Sequence, residues 1–383
     1  MPWKETHVMD QKIKMMSDWL SGEYSLTDLS RIYEVSRKTM YKWIERYEVD
    51  EYGGLQERSR RPLTMPRATP PEIVARILAA KTQHKHWGSR KVLAWLRIHD
   101  PNRKWPAAST TSDILKRHGL VQPRRKHHHT PAYNQPFLPC QQPNEVWCAD
   151  FKGQFRLGEG KLCYPLTISD NWSRYLLGCW GLLHPGYIPT RSHFEIAFRE
   201  YGLPGAIRTD NGVPFASVAL GGLSRLAVWL IKLGIQPERI AKSHPEQNGR
   251  HERMHRTLKA EAISPPRKSF REQQHAFDRF RKEYNGERPH EALEQRTPAS
   301  LYRRESRSYP EKLPVVTYAA NMPVRQVKAN GAIKWKGKEL YLSETLAGEP
   351  VGFKQVDNDA WQIYFDFYPL GILDERVQKI VSE

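Results

Sequence analysis

The stretch from Ser243 to Lys259, Ser-His-Pro-Glu-Gln-Asn-Gly-Arg-His-Glu-Arg-Met-His-Arg-Thr-Leu-Lys, constrains the chain more than any other. It begins as a polar loop around Pro245 and from Arg250 takes on the composition of a basic helix. On a helix, Asn248, Glu252, His255 and Lys259 follow one another at offsets of four, three and four, which aligns them along one side. Exposed helices normally mix charge signs. A single carboxylate, Glu252, among Arg250, Arg253, Arg256 and Lys259 is either an incidental ion-pair partner on a DNA-facing helix or one member of a ligand set completed elsewhere. The same residues spell His251-Glu252-x-x-His255, the helix pattern of zinc peptidases. A zinc site needs a third ligand and an apolar helix lodged in a core, whereas cations ring this one, which suits an anionic partner better.

Charge points the same way. Sixty Lys plus Arg stand against 42 Asp plus Glu, a formal +18 over 383 residues, and a polyanion is the partner that such an excess attracts. A membrane is a poor alternative: the longest apolar run, Tyr175 to Leu183, is far short of the roughly 18 residues that a span needs, and the N-terminus lacks signal-peptide form. Cys140, Cys148, Cys163 and Cys179 show no C-x-x-C spacing and read as reduced thiols, so the expected location is cytoplasmic.

The length allows two to four domains. Residues 1–50 read as a helix-turn-helix, with Ser25 and Ser36 as N-caps and Met40, Trp43, Ile44 and Tyr47 on the buried side of the third helix. Its other side offers Arg37, Lys38, Thr39 and Lys42 to phosphates and base edges. Residues 51–70 form a Gly, Pro and Arg-rich linker in which Arg58, Arg60 and Arg61 can lie along a duplex. From 71 to 120 the helical period returns (Ile73, Ile77, Val92, Leu96, Ile114), a second small DNA-binding domain whose last helix Ser109, Thr110 or Thr111 could cap. Residues 121–144 contain no acid and include Arg124, Arg125, Lys126 and a His run, a basic connector. From 145 to 305, three antiparallel strands followed by alternating helices and strands predict an α/β unit with a mixed sheet. Residues 313–383 turn to β-rich alternation, as in a small barrel-like domain.

Within the α/β unit, Asp150 falls in the first strand, Asp210 at the C-terminal end of a later one, and Glu252 on the basic helix. Phosphodiester cleavage needs its attacking oxygen activated and its leaving oxygen stabilised, which two divalent ions roughly 3.5–4 Å apart accomplish when held by a few carboxylates. Asp150, Asp210 and Glu252 could supply these ligands, for Mg²⁺ or Mn²⁺. Singly, each aspartate is also readable as a strand-end cap or a plain turn.

Trp147-Cys148-Ala149-Asp150-Phe151-Lys152, Thr209-Asp210-Asn211-Gly212, Pro245 to Lys259, and Tyr284-Asn285-Gly286-Glu287-Arg288-Pro289-His290 followed by Thr297-Pro298 together resemble the bacterial insertion-sequence transposases of the D-D-E class. These belong to the retroviral-integrase superfamily with its ribonuclease H-like core. The resemblance is close over about Glu145 to Tyr302 and looser over the N-terminal helix-turn-helix. It implies a multidomain chain with all-α N-terminal domains, a ribonuclease H-like catalytic core and a small β-rich C-terminal domain. It also implies Asp150, Asp210 and Glu252 as metal ligands and Lys259 facing the DNA end, with Asn248 and Arg256 on the same DNA-binding segment. The family often keeps 35 residues between its second Asp and its Glu. That spacing from Asp210 reaches Glu246, while Glu252 lies after 41. Glu252 remains the better choice: it follows Pro245 and Asn248-Gly249 in the family order, and a helix holds a ligand more rigidly than a loop. Extra residues near Ala219 to Ser224 account for the difference.

The expected function is transposition. Metal-activated water would free a 3′-hydroxyl at each element end, and that hydroxyl would attack target DNA in line, in a homo-oligomer on paired terminal repeats. The alternatives are an inactive relative that only binds DNA as a repressor, and a nuclease on the same core that cuts without joining.

Overall fold

The computed structural model describes residues 7–59, 68–121, 137, 140–217, 220–241, 244–305 and 307–381. By its contacts the chain divides after Ala68 into two units. The first is built from α1 (Val8–Leu20), α2 (Leu26–Ile32) and α3 (Arg37–Gly54), the last broken by non-helical backbone at Asp50 and Glu51. Ser25 and Ser36 do cap α2 and α3, each hydroxyl oxygen accepting a backbone N–H three residues on at 3.2 Å. Met16, Leu29, Met40, Trp43 and Ile44 form the core, with Tyr47 half-buried against it. Lys12 is buried there, its ammonium 3.6 Å from the Trp43 ring centre and donating to the Leu55 carbonyl and to Glu57. Arg37, Lys38, Lys42 and Arg58 are exposed; Thr39 is half-buried, its N–H taken by the Ser36 cap. Arg60, Arg61, Arg124, Arg125 and Lys126 lie outside the described residues.

The second unit starts with α4 (Pro71–Gln83), α5 (Ser89–His99) and α6 (Ala108–Arg117) around Ile77, Trp87, Val92 and Leu115. The expected cap of α6 is corrected. Ala107 is its N-cap, and Ser109 and Thr110 lie inside the first turn, while the Thr111 hydroxyl donates back to the Ala107 carbonyl at 3.1 Å. Thr111 is fully buried, so packing rather than capping fixes it.

Six strands make one mixed sheet: β1 (Val146–Phe151), β2 (Phe155–Arg156), β3 (Leu162–Asp170), β4 (Leu176–Leu182), β5 (Ala206–Thr209) and β6 (Gln236–Arg239). β1 pairs antiparallel with β3 and parallel with β5; β3 pairs antiparallel with β4, and β5 parallel with β6. Because side chains alternate across a strand, Trp147, Ala149, Leu166, Ile168 and Ile207 point into a core with α7 (Tyr187–Tyr201) and α8 (Arg225–Lys232). Cys163 and Cys179 belong to a second core, shared with α9 (Gly249–Leu258) and α10 (Phe270–Gly286) through Met254, Leu258, Phe277 and Phe280. A π-helical turn, Lys259–Ile263, continues α9. All four cysteines are free.

The second helical segment is seated on the end of α10. His84 bonds Glu283 at 2.9 Å and Arg90 pairs with Glu291 at 2.5 Å. Buried Arg288 pairs with Glu261 of the π turn at 2.6 Å. Lys91 lies near enough that burial, and then the Arg288 charge, push its pKa down to about 8. After the short α11 (Pro298–Leu301), the chain reaches β7 (Val324–Gln326), the hairpin β8 (Ala332–Trp335) and β9 (Lys338–Tyr341), then β10 (Pro350–Asp357), β11 (Ala360–Phe365), β12 (Tyr368–Asp374) and β13 (Lys379–Val381). The barrel-like expectation resolves into an antiparallel five-stranded sheet and a separate hairpin around Ile333, Trp335, Phe353 and Phe365. Leu220, Leu223 and Ile231 join that core, so the Gly221–Gly222 segment between them contributes to the seat of the C-terminal sheet. Among the described residues no helix is long and apolar enough to cross a membrane.

Candidate active site

Parallel pairing of β1 with β5 sets Ala149 opposite Thr209, so Asp150 and Asp210 are the next residues along neighbouring strands, at their carboxyl ends. That is where open α/β sheets place ligands. Asp150 is mostly buried, and its carboxyl is pushed up to about 7, first by burial, then by the charge of Asp210 and more weakly by that of Glu252. The three carboxylates therefore share one electrostatic neighbourhood. Among the described residues none of them forms a salt bridge with a Lys or Arg side chain. Gathering anions without cationic partners is costly, and the hard oxygen donors are of the kind that Mg²⁺ or Mn²⁺ takes. The donor set fits a divalent ion.

Helix α9 presents the site with two differently composed sides. The apolar stripe of Met254 and Leu258 fixes the rotation of the helix and carries His251 and His255 inward, both buried against the sheet. Glu252, Arg256 and Lys259 remain exposed. Asn248, Glu252, His255 and Lys259 thus do not share one side, because offsets of three and four drift enough for a buried stripe to divide them. Asn248 is buried just ahead of the helix and donates its Nδ2 to Asp150 Oδ2 at 3.3 Å. The backbone around residue 246 is in a short 3-10 turn, Pro245–Asn248, ahead of α9.

Behind Asp150 lies a polar cluster that sequence reasoning missed. Thr167, directly across from Asp150 on β3, has its hydroxyl 3.1 Å from the Asp150 carbonyl, 2.7 Å from His251 Nε2 and 2.7 Å from His255 Nε2. Ser169 Oγ lies 3.0 Å from His251 Nδ1. His255 Nδ1 stands 3.8 Å from Asp150 Oδ2. Burial holds His251 down at about 3 and His255 at about 2, so both rings are neutral near pH 7. Asp150, His251 and His255 bring potential metal-ligating atoms within 4.8 Å of one another. The signal in the sequence was the i, i+3, i+4 placement of His251, Met254 and His255, a buried stripe with histidines in it. Glu252, which stands between the two histidines in the sequence, is exposed while both rings are buried.

Models of the integrase core domain match residues 141–245 and 233–298, a helix-turn-helix domain model matches 11–62, and a homeodomain-like domain model matches 39–115. The chain has a ribonuclease H-like integrase core behind helix-turn-helix domains. It is 24% identical over 292 residues to an uncharacterized 39.2 kDa protein of insertion element IS476 from Xanthomonas euvesicatoria, covering 74% of this chain and 79% of that protein. It is 29% identical over 168 residues to an uncharacterized 31.7 kDa protein of insertion element IS407 from Burkholderia multivorans, covering 42% of this chain and 55% of that one. Among solved structures, a simian T-cell lymphotropic virus intasome aligns with 18% identity over 76% of this chain and 97% of its own, at a TM-score of 0.38. The chain thus carries an integrase core domain and is similar to proteins of bacterial insertion elements.

Proposed function

We propose that the protein cuts at the ends of its own mobile element and joins the freed 3′-hydroxyl to target DNA, using two divalent ions held by Asp150, Asp210 and Glu252. The observation that carries this reading is the gathering of three carboxylates, unpaired by Lys or Arg among the described residues, one of them with its proton affinity raised by burial first and then by the charges of the other two. When bound, the ions activate the attacking oxygen and stabilise the leaving one. The chain's own groups do the positioning. Asp150 is fixed by its strand and by the Asn248 amide. Glu252 stands on the solvent side of α9, where DNA can approach, and Arg256 and Lys259 on the same helix are available to phosphates. Arg37, Lys38, Thr39 and Lys42 read the terminal repeats, with Arg58, Arg60 and Arg61, and Arg124, Arg125 and Lys126, as basic straps. Two ends have to be handled together, so a homo-oligomer is the working form. The setting is the cytoplasm, at the nucleoid.

The test is cleavage and strand joining on DNA flanking the gene, with Mg²⁺, Mn²⁺ or chelator, for wild type, Glu252→Gln and Glu246→Gln. Loss of both steps in Glu252→Gln alone is expected. If Glu246→Gln is the dead variant, the helix assignment is wrong. If wild type binds DNA without cutting it, the protein is a repressor-like binder.

A further inference from the structure

The hydrogen bonds around Thr167 determine which nitrogen of His255 is bare. A threonine hydroxyl has one hydrogen and two lone pairs, and this one has three neighbours: the Asp150 carbonyl, His251 Nε2 and His255 Nε2. A carbonyl can only accept, so the hydrogen goes to Asp150. Both imidazoles must then carry their proton on Nε2 and donate it to Thr167. His251 Nδ1 is left as an acceptor and is satisfied by the Ser169 hydroxyl. His255 Nδ1 is also left as an acceptor, but what it faces is Asp150 Oδ2, a second acceptor, at 3.8 Å. Asn248 occupies one lone pair of that oxygen; another remains. Whenever Asp150 is ionised, two electron-rich atoms are turned toward each other with nothing positive between them, a place that a proton or a cation can take.

We propose that His255 Nδ1 is a nitrogen ligand of the divalent ion held by Asp150, that Thr167 is the residue that aims it, and that one position of the metal pair is therefore a mixed nitrogen–oxygen site. The inference rests on the carboxylate reading above. With bonds of about 2.1 Å, two donors on one ion lie roughly 3 Å apart at right angles and about 4.2 Å apart when opposite, and 3.8 Å falls between. Thr167 supplies what metal-bound histidines ordinarily have, an acceptor for the other ring N–H that sets tautomer and orientation. His251, with both nitrogens engaged, orients the cluster and does not ligate. An imidazole donor shifts preference away from Mg²⁺ toward Mn²⁺ and later transition metals.

The probe is Mn²⁺ alone on the full chain without DNA, followed by pulsed electron paramagnetic resonance, which detects nitrogen bonded to the ion. Wild type is expected to show a nitrogen coupling that changes on ¹⁵N-histidine labelling. In His255→Gln the coupling should disappear and Mn²⁺ affinity fall at least about tenfold, with a smaller loss for Mg²⁺. His251→Gln should retain the coupling. Thr167→Val, which leaves the ring in place, should weaken it, and this keeps the idea testable if His255→Gln fails to fold. Bound Mn²⁺ without nitrogen coupling, coupling that survives in His255→Gln, or no Mn²⁺ bound to wild type would each overturn the proposal. Asp150→Asn separates the two ideas. If it leaves Mn²⁺ affinity unchanged, the carboxylate reading fails. If it weakens binding while wild type shows no nitrogen coupling, only the role of His255 falls.

Discussion

Two charged groups two residues apart, one on β5 and one just past its end, are treated in opposite ways. Arg208 is buried and makes a close pair with Glu238 opposite it on β6, Nε and Nη2 both within 2.9 Å of the same carboxylate oxygen, with the Phe137 ring 3.9 Å from the guanidinium. Asp210, at the end of the same strand, has no Lys or Arg salt bridge among the described residues, and neither has Asp150 beside it. The first group completes its own electrostatics and belongs to the architecture. The second has no such partner among the described residues, and on the function proposed above a divalent ion would complete it. Charge that a fold leaves unneutralised at the ends of its strands is better evidence for chemistry than the mere presence of an acid.

That contrast can be broken experimentally. The largest effect is expected for Asp210→Asn: strand cleavage falling roughly a thousandfold or more, since several kcal/mol of metal-borne stabilisation go with a ligand, with urea stability unchanged or raised. Arg208→Met should do the reverse, lowering stability by about 1–3 kcal/mol through loss of the charged hydrogen bonds to Glu238, and Glu238→Met added to it should recover part of the loss. Urea titrations of the two variants check both signs.

The next prediction concerns pH. The folded-state pKa of Asp150 is raised from its ordinary 3.8 to about 7, so between those values the folded chain binds the proton more tightly than the unfolded one. Its contribution to stability is complete below about pH 4 and is lost as pH rises to 7. Asparagine does not ionise. The stability of Asp150→Asn relative to wild type should therefore grow across that window, at up to about 1.4 kcal/mol per pH unit, and level off above it, with Mg²⁺ narrowing the gap by stabilising wild type. Taking the difference matters because neutral, buried His251 and His255 act with the other sign. Their folded pKa values are depressed to about 3 and 2, so both chains lose stability as pH falls below about 6.5. The smallest effect is expected for Lys259→Ala: uniformly weaker DNA binding, with the slope of log affinity against log salt lowered by about one.

Much of this arrangement was legible before any coordinates. Ser25 and Ser36 announced their helices because a hydroxyl before a helical run has one obvious use, and Asp150 and Asp210 stood at predicted strand ends. What the sequence concealed was rotation and long-range seating. Nothing local in Asn248-Gly249-Arg250-His251-Glu252 says which way the helix turns; Met254 and Leu258 decide it by finding the second core. Thr167 looks like an ordinary strand residue until its partner strand sets it opposite Asp150. The two-residue β2 was invisible because Phe155-Arg156 has no alternation to detect. The meeting of His84 and Arg90 with Glu283 and Glu291 joins positions about two hundred residues apart, beyond the reach of any periodicity.

That last distance has a consequence during synthesis. The segment α4 to α6 leaves the ribosome first, yet Glu283, Arg288 and Glu291, against which it is seated, emerge some two hundred residues later. At roughly 5–20 residues per second, the nascent helices wait on the order of 10–40 s with His84, Arg90 and Lys91 facing solvent instead of their partners. The seat is formed only after the strands bearing Asp150 and Asp210 and the helix bearing Glu252 have been made. Docking of this segment is thus a late event in the chain's own history, one that can close only after most of the core has been translated.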